Sequence, residues 1–399
     1  MSGRPLRGCR VFDLTRFVSG SYATSLLAAL GADVLKIELP PGGDSYRGQA
    51  TDRIEGESAL FMGLNGGKRS VAIDFRAGEC RDIVEALLAS SDLIVHNSRP
   101  GGLDAYGLDF ASVHARHPHL VYGSISGYGD IGPAATRGGF DLILQAETGL
   151  MSVTGSPTSG PVKVGAPVLD IGAGLCVVVG LLAALRERDA TGTGSEVSTS
   201  LLEFGMGGLT TLASSVLAGG EPPGLLGSHS PSFAPYGAFR ASDDYVVLAG
   251  AGSEHLWVKL CETIARPQWT SDPRFATNAD RVANRGVLTD SIEQVLATDS
   301  ADSWVERLEA AGVPAGKVRP LEEVVASPQV AALDLVEQYD HEGAGRYSTM
   351  GVPFRLAGHR PRTGPSPVLG AHTREVLADL GVNSADVDEL VARDVVVAP

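Results

Sequence analysis

Short β-branched runs alternating with amphipathic stretches constrain this chain more than any other feature. Residues 10–14 read as a strand, 21–30 as a helix stopped by Gly31, and 34–38 as the next strand. The pattern returns with a strand at 70–75, a helix at 80–90 and strands at 93–96 and 120–125. Such alternation needs crossover connections, so the expected class is α/β, a mainly parallel sheet with helices on both faces. A nearly all-apolar segment at 171–189 reads as a buried helix, followed by a turn at 190–194 and a strand or helix start at 197–203. Gly, Pro and Ser crowd residues 219–235, the composition of a linker. Beyond it a smaller α/β unit is expected, with a strand at 245–248 and helices at 256–264, 287–297 and 303–311. The tail is strand-like and proline-rich over 351–367 and then helical over 373–380.

Length agrees with two domains, because 399 residues exceed the roughly 250–300 at which single cores tend to split. An excess of 47 acidic over 32 basic residues gives a net charge of -15, which repels a polyphosphate backbone, so no nucleic-acid partner is expected. Cys9, Cys80, Cys176 and Cys261 are far apart and form no C-x-x-C pair, as in a reduced, cytoplasmic protein. Residues 1–5 lead into the first strand without an apolar signal segment. The apolar run 171–185 is broken by Gly172, Gly174 and Gly180 and is shorter than the about 20 residues a bilayer needs, so no membrane is expected either.

Asp170 stands out on chemistry, at the junction of the coil Gly165-Ala166-Pro167 and the apolar helix. Its plain reading is an N-cap, with its carboxylate on the free N–H groups of the first turn. The functional reading adds that those N–H groups and the helix dipole keep it ionised, while Gly172 and Gly174 leave room for a substrate. An ionised carboxylate in a water-poor site can act as a covalent nucleophile. Two other patterns carry less. The sequence from Gly127 to Gly132 has the spacing G-x-G-x-x-G, but Pro133 follows and no long amphipathic helix opens there. His114, His117 and His119 straddle a helix end and Pro118 with no adjoining acidic ligand, so they read as a solvated loop and no metal site is expected. No G-x-S-x-G elbow is present.

Ordered blocks along nearly the whole chain resemble the family III CoA-transferases, of the carnitine dehydratase, formyl-CoA transferase and bile acid CoA-transferase type. They include 11–14, 31–38, 68–71, 95–97, 139–141, 168–170, 180–185, 191–194, 200–203, 272–275, 311–316 and 369–373. The resemblance implies a large Rossmann-like domain over 1–215 and 330–399, a small domain over 225–325, and linkers at 216–224 and 326–329. It also implies an interlocked homodimer, with threading near 219–235 and 324–335. Asp170 matches the family's nucleophile, which forms an aspartyl mixed anhydride and then an enzyme-CoA thioester. Coenzyme A and its acyl thioesters are then substrates, and no permanently bound cofactor is implied.

Matching positions for CoA binding are Ser19, Ile73, Arg76, Asn97, Arg99, Phe140 and Asp141. Basic residues common in the family are replaced by Leu39 and Ala105. Phosphate binding then falls to Arg47, Arg76, Arg99 or Arg137. Val18 replaces a Gln of the formyl-CoA branch, and that branch's glycine run shrinks to Gly250-Ala251-Gly252-Ser253, expected as a substrate loop. Both changes speak against formyl or oxalyl transfer. The acceptor pocket is expected among His229, Ser232, Tyr236, Ser253 and His255. The related α-methylacyl-CoA racemases pair the Asp with a His where this chain has Phe140, so one of the two groups needed for proton transfer at the α-carbon is missing. Alternatives left open are an acyl-CoA racemase or isomerase and a non-catalytic CoA-binding protein.

Overall fold

A computed structural model describes residues 4–49, 51–250 and 252–399 of the chain. It divides into a larger unit, made of Met1–Thr148, Gly165–Thr210 and Pro328–Pro399, and a smaller one, made of Gly149–Val164 and Thr211–Ser327.

Among the described residues of the larger unit a seven-stranded sheet forms from Arg10–Asp13 (β1), Asp33–Glu38 (β2), Arg69–Ile73 (β3), Leu93–His96 (β4), Val121–Ser126 (β5), Glu196–Ser200 (β6) and Val396–Val397 (β7). Its order is β6-β5-β4-β1-β2-β3-β7, parallel throughout except for β7, which runs antiparallel to β3. β1 pairs with β2 on one side and β4 on the other, so the chain reverses its winding there. Ligands of open parallel sheets bind in the crevice outside such a switch point, at the carboxyl ends of the strands. The central strands are apolar on both faces because both faces are covered: Val11, Phe12, Leu35, Val71 and Ile94 are almost fully buried.

Among the helices that position the site are Ser19–Ala29 (α1), Asp141–Glu147 (α2), Val168–Thr191 (α3) and Leu201–Gly208 (α4). α3 is longer than the sequence suggested and is only partly covered. It has the length and hydropathy of a membrane-crossing helix, yet half of its apolar window is buried inside the protein. Leu175, Val179 and Leu182 form an exposed stripe on it, with Val179 at 69% exposure. An all-round apolar sequence gave no way to tell the covered side from the bare one.

The smaller unit packs helices Glu254–Thr263, Arg285–Leu296 and Ala301–Ala310, close to their expected places, around Trp257, Phe275, Leu288 and Leu308. Its three-stranded antiparallel sheet runs Gly237–Arg240, Tyr245–Leu248, Ala315–Lys317. Residues 149–164, expected in the large domain, belong here because the hairpin Gly155–Ser156/Gly160–Pro161 accepts the Gly227 N–H on the Gly155 carbonyl at 2.6 Å. Residues 211–215 also move, as part of the helix Thr210–Leu217, which runs into the expected 216–224 linker. The region 324–335 is no extended linker but holds the end of Leu321–Val325 and all of Pro328–Ala332. In the tail, a hairpin of Val336–His341 and Gly345–Met350 was not foreseen, and 351–367 forms no regular strand beyond a bridge between Leu356 and His359.

Candidate active site

The chain leaving β1 makes a tight loop before α1, and a buried ion network fixes both of its ends. Lys36 Nζ lies 2.9 Å from Asp44 and donates to the Thr15 carbonyl at 2.9 Å. Lys68 Nζ lies 3.2 Å from Asp13 and donates to the Ser21 carbonyl at 3.0 Å. The two ammonium groups therefore hold carbonyls on either side of residues 16–20. Asn97, just past β4, clamps the middle: its Oδ1 accepts the Arg16 N–H at 2.8 Å, and its Nδ2 donates to the Arg16 carbonyl at 2.6 Å and to Ser19 Oγ at 3.4 Å. Gly20 makes this seat possible, since a Cβ there would stand 2.5 Å from the Thr15 side chain and 3.3 Å from Asn97 Cγ. Phe17 adopts φ 59°, a left-handed conformation that costs a non-glycine residue about 1–2 kcal/mol, and its ring meets Tyr46 and Phe140 edge-on.

Above this loop lies a cavity of about 520 Å³. Ser19, Asn97, Arg99, Arg137, Phe140 and Asp170 all line it, so the structure brings together six of the residues expected at the site. Arg16, Tyr46 and Gln49 line it as well and were missed. Arg16 had a usable signal, standing at the carboxyl end of β1 where a doubly wound sheet binds ligands. Tyr46 and Gln49 come from the short helix Ser45–Gln49 and carried none.

Asp170 is the third residue of α3, not its N-cap; Pro167 occupies the cap without a side-chain bond. The free N–H groups go to Asp141 instead, whose Oδ2 accepts from Leu169 at 2.8 Å and from Asp170 at 3.3 Å. Asp141 is thus engaged on the helix end. The consequence for Asp170 opposes the expectation of a dipole-stabilised anion. Burial, with the Asp141 charge second, pushes its carboxyl up to about 6, and the nearby Ser19 hydroxyl works against that rise. Gly172 and Gly174 do not open space for a substrate either. A Cβ at Gly172 would stand 2.0 Å from the Phe204 ring of α4, and one at Gly174 2.6 Å from the Ser19 carbonyl, so both admit neighbouring parts of the protein.

Other expected contacts sort by their partners. Arg47 makes a bidentate pair with Glu38, 2.7 Å for each bond, and stacks on Phe61, so it is not free for phosphate. Arg76 forks onto Asp74 at 2.8 Å, and Arg137 pairs with Glu147 at 2.6 Å. Arg99 has no carboxylate partner among the described residues, and Gly138 leaves space for its guanidinium, 2.6 Å from a Cβ there. Ile73 is 0% exposed in the core, so its side chain offers no ligand surface. Gly127 packs against Gly139, 2.9 Å from a Cβ there, which explains one glycine of the G-x-G-x-x-G run by packing. His117 bonds Glu85 at 2.8 Å and His119 the Ser91 carbonyl at 3.2 Å.

Gly250, Gly252 and Ser253 belong to the smaller unit, while Ala251 lies outside the described residues. Ser253 caps the helix Glu254–Thr263, accepting the Leu256 N–H at 3.4 Å. His229, Ser232, Tyr236 and His255 are in the same unit.

A carboxylate beside a large crevice at the switch point of a parallel sheet marks the ligand-binding site of a doubly wound α/β protein. Comparison narrows this: the profile of CoA-transferase family III matches residues 6–373, and the chain belongs to that family. It is therefore a CoA-transferase with CoA thioesters as substrates. The mouse (Mus musculus) succinyl-CoA:glutarate CoA-transferase is 34% identical over 95% of this chain and 87% of its own. The formyl-CoA:oxalate CoA-transferase of Streptomyces coelicolor is 32% identical over 99% of this chain and 100% of its own. A solved CAIB/BAIF family protein from Brucella suis superposes with a TM-score of 0.84 at 36% identity, covering 95% of this chain and 100% of that one.

Proposed function

We propose that this enzyme moves CoA from a short acyl-CoA, with succinyl-CoA the leading donor, to a carboxylic acid acceptor, and that Asp170 is its covalent nucleophile. The observation that carries the reading is the Asp170 carboxyl itself. It lines the cavity, it is pushed up only to about 6, and so it is mostly ionised at neutral pH. The name of the mouse relative supports succinyl-CoA as donor and a dicarboxylate as acceptor.

An Asp170 oxygen attacks the thioester carbonyl, the C–S bond breaks, and CoA leaves as thiolate from a mixed anhydride. The thiolate then attacks the Asp170 carboxyl carbon, the bond to the acyl oxygen breaks, and the donor acid departs, leaving an aspartyl-CoA thioester. The acceptor carboxylate repeats both steps in reverse. Arg16 and Arg99 supply positive charge to CoA phosphates or substrate carboxylates, with Asn97 and Phe140 flanking the reacting end. The same reading takes the protein to be a cytoplasmic homodimer. The exposed stripe Leu175, Val179, Leu182, with Ile143 and Met206 also exposed on the neighbouring helices α2 and α4, supports a second subunit covering it.

Intact-protein mass spectrometry tests the nucleophile. The enzyme is mixed with succinyl-CoA, trapped with hydroxylamine or borohydride, and compared with Asp170→Ala. An adduct on Asp170 in the native chain alone is the expected result. Failure across a broad donor panel, together with solvent deuterium entering the α-carbon of an acyl-CoA, would replace the transferase mechanism with an isomerase one.

A further inference from the structure

We propose that Lys68 is a positioning residue for CoA transfer: its ammonium ties β1 to the first turn of α1, and loss of its proton at alkaline pH releases that turn and slows the reaction. The inference rests on the Asp170 cavity as the place of reaction and goes beyond it by adding a control on the cavity wall. Three oxygens surround Lys68 Nζ: Asn65 Oδ1 at 2.8 Å, the Ser21 carbonyl at 3.0 Å and Asp13 Oδ2 at 3.2 Å. An ammonium has three N–H groups, one for each. Lys68 and all three partners are almost fully buried, so bulk solvent does not reach them to replace a lost contact. Asp13 carries the tie into the loop. Its Oδ1 accepts from the Thr15 N–H at 2.8 Å and the Thr15 hydroxyl at 2.5 Å, and its Oδ2 from the Thr24 hydroxyl at 2.7 Å. What is held in this way borders the reacting group. Arg16, Phe17, Val18 and Ser19 line the cavity with Asp170, and the Ser19 carbonyl abuts Gly174, 2.6 Å from a Cβ there. Gly174 stands one helical turn beyond Asp170 on the same face of α3, so a shift in the first turn of α1 changes the wall beside Asp170.

Deprotonation breaks the match. A neutral amine has two N–H groups and a lone pair, so one of the three oxygens is left facing that lone pair. Burial draws the Lys68 ammonium down to about 8; Asp13 resists the fall, Lys36 on β2 adds to it, and Asp44 beyond β2 resists it. α1 and the helix Ala59–Leu64 bring no charged side chain to the site. Against the same burial, Asp44, Asp13 and Glu38 raise Lys36, which therefore keeps its charge and its hold on the Thr15 carbonyl while Lys68 loses its own.

The test follows transfer from succinyl-CoA to glutarate over a pH series for wild type, Lys68→Met and Asn65→Asp, with Tm at each pH to show that the chain stays folded. Wild-type kcat should fall about tenfold per pH unit above about 8. A misplacement of about 1 Å costs about 100-fold in rate, so Lys68→Met is expected to lose about that much kcat at about pH 7, with KM for succinyl-CoA within about threefold and no alkaline limb. Asn65→Asp keeps an oxygen on Lys68 and adds a negative charge beside it, and should move the limb up by about one pH unit or more. Were Lys68 only structural, Tm would move and Asn65→Asp would leave the limb in place. If Lys68→Met does not fold, Asn65→Asp decides alone. A wild-type kcat that stays flat well above the Lys68 value, or a limb that Asn65→Asp does not move, overturns the proposal. The Asp170 adduct is read separately by mass spectrometry: its absence from wild type fails the nucleophile reading, and an unmoved limb with the adduct present fails this one.

Discussion

Asp170 carries a measurable signature of its surroundings. A carboxyl raised to about 6 by burial and by Asp141 acts as a nucleophile only when ionised, so kcat/KM should fall about tenfold per pH unit below that value. Asp141→Asn removes the like charge yet keeps an oxygen for the α3 N–H groups, and is expected to shift the acid limb to lower pH. Stability moves in the opposite sense. The folded state holds the Asp170 proton more tightly than the unfolded chain, whose value is 3.8, so its contribution is favourable at low pH and lost as pH rises from about 4 to about 6. Asp170→Asn should therefore stabilise the protein by about 3 kcal/mol at pH 7 and very little at pH 4, read as a difference in Tm. Asp170 itself was legible in the sequence, because an acidic residue entering an apolar helix is conspicuous. Its electrostatics were not, because the group that takes the helix N–H bonds, Asp141, stands far away in sequence.

α3 shows what periodicity can and cannot reveal about an element. Its existence followed from its composition, but a helix apolar all round does not declare which face is bare, and the roles of its glycines depend on α1 and α4. Gly172→Ala would drive a methyl group into Phe204, at a cost of about 1–3 kcal/mol in urea unfolding, and Phe204→Leu in the same chain should recover part of it. Val179→Glu tests the exposed stripe. It should convert the proposed dimer to monomer in light scattering while leaving the far-ultraviolet dichroism unchanged.

At the scale of the whole molecule, the two-unit division and the parallel sheet were legible from length and from the alternation of the first third. The place of residues 149–164 was not, since a bond from Gly227 to Gly155 has no local signature. The charges beneath the β1–α1 loop were also hidden. Lys36, Glu38 and Lys68 sit in runs that look like ordinary strand ends, yet Lys36 and Lys68 are almost fully buried and hold the loop. Lys68→Ala leaves Asp13 with one fewer cation in the interior and is expected to cost about 3–5 kcal/mol, measured by denaturant unfolding.

Strand β7 gives the larger unit an unusual schedule of assembly. β3 has β7 as its outer neighbour, and the Ala72 N–H donates to the Thr373 hydroxyl at 3.0 Å. Translation from the N-terminus delivers every residue of the smaller unit before either of these partners emerges. The unit begun first is thus completed last. Until β7 emerges the β3 edge is an open strand, the kind that pairs wrongly with other chains, and β7 then covers it.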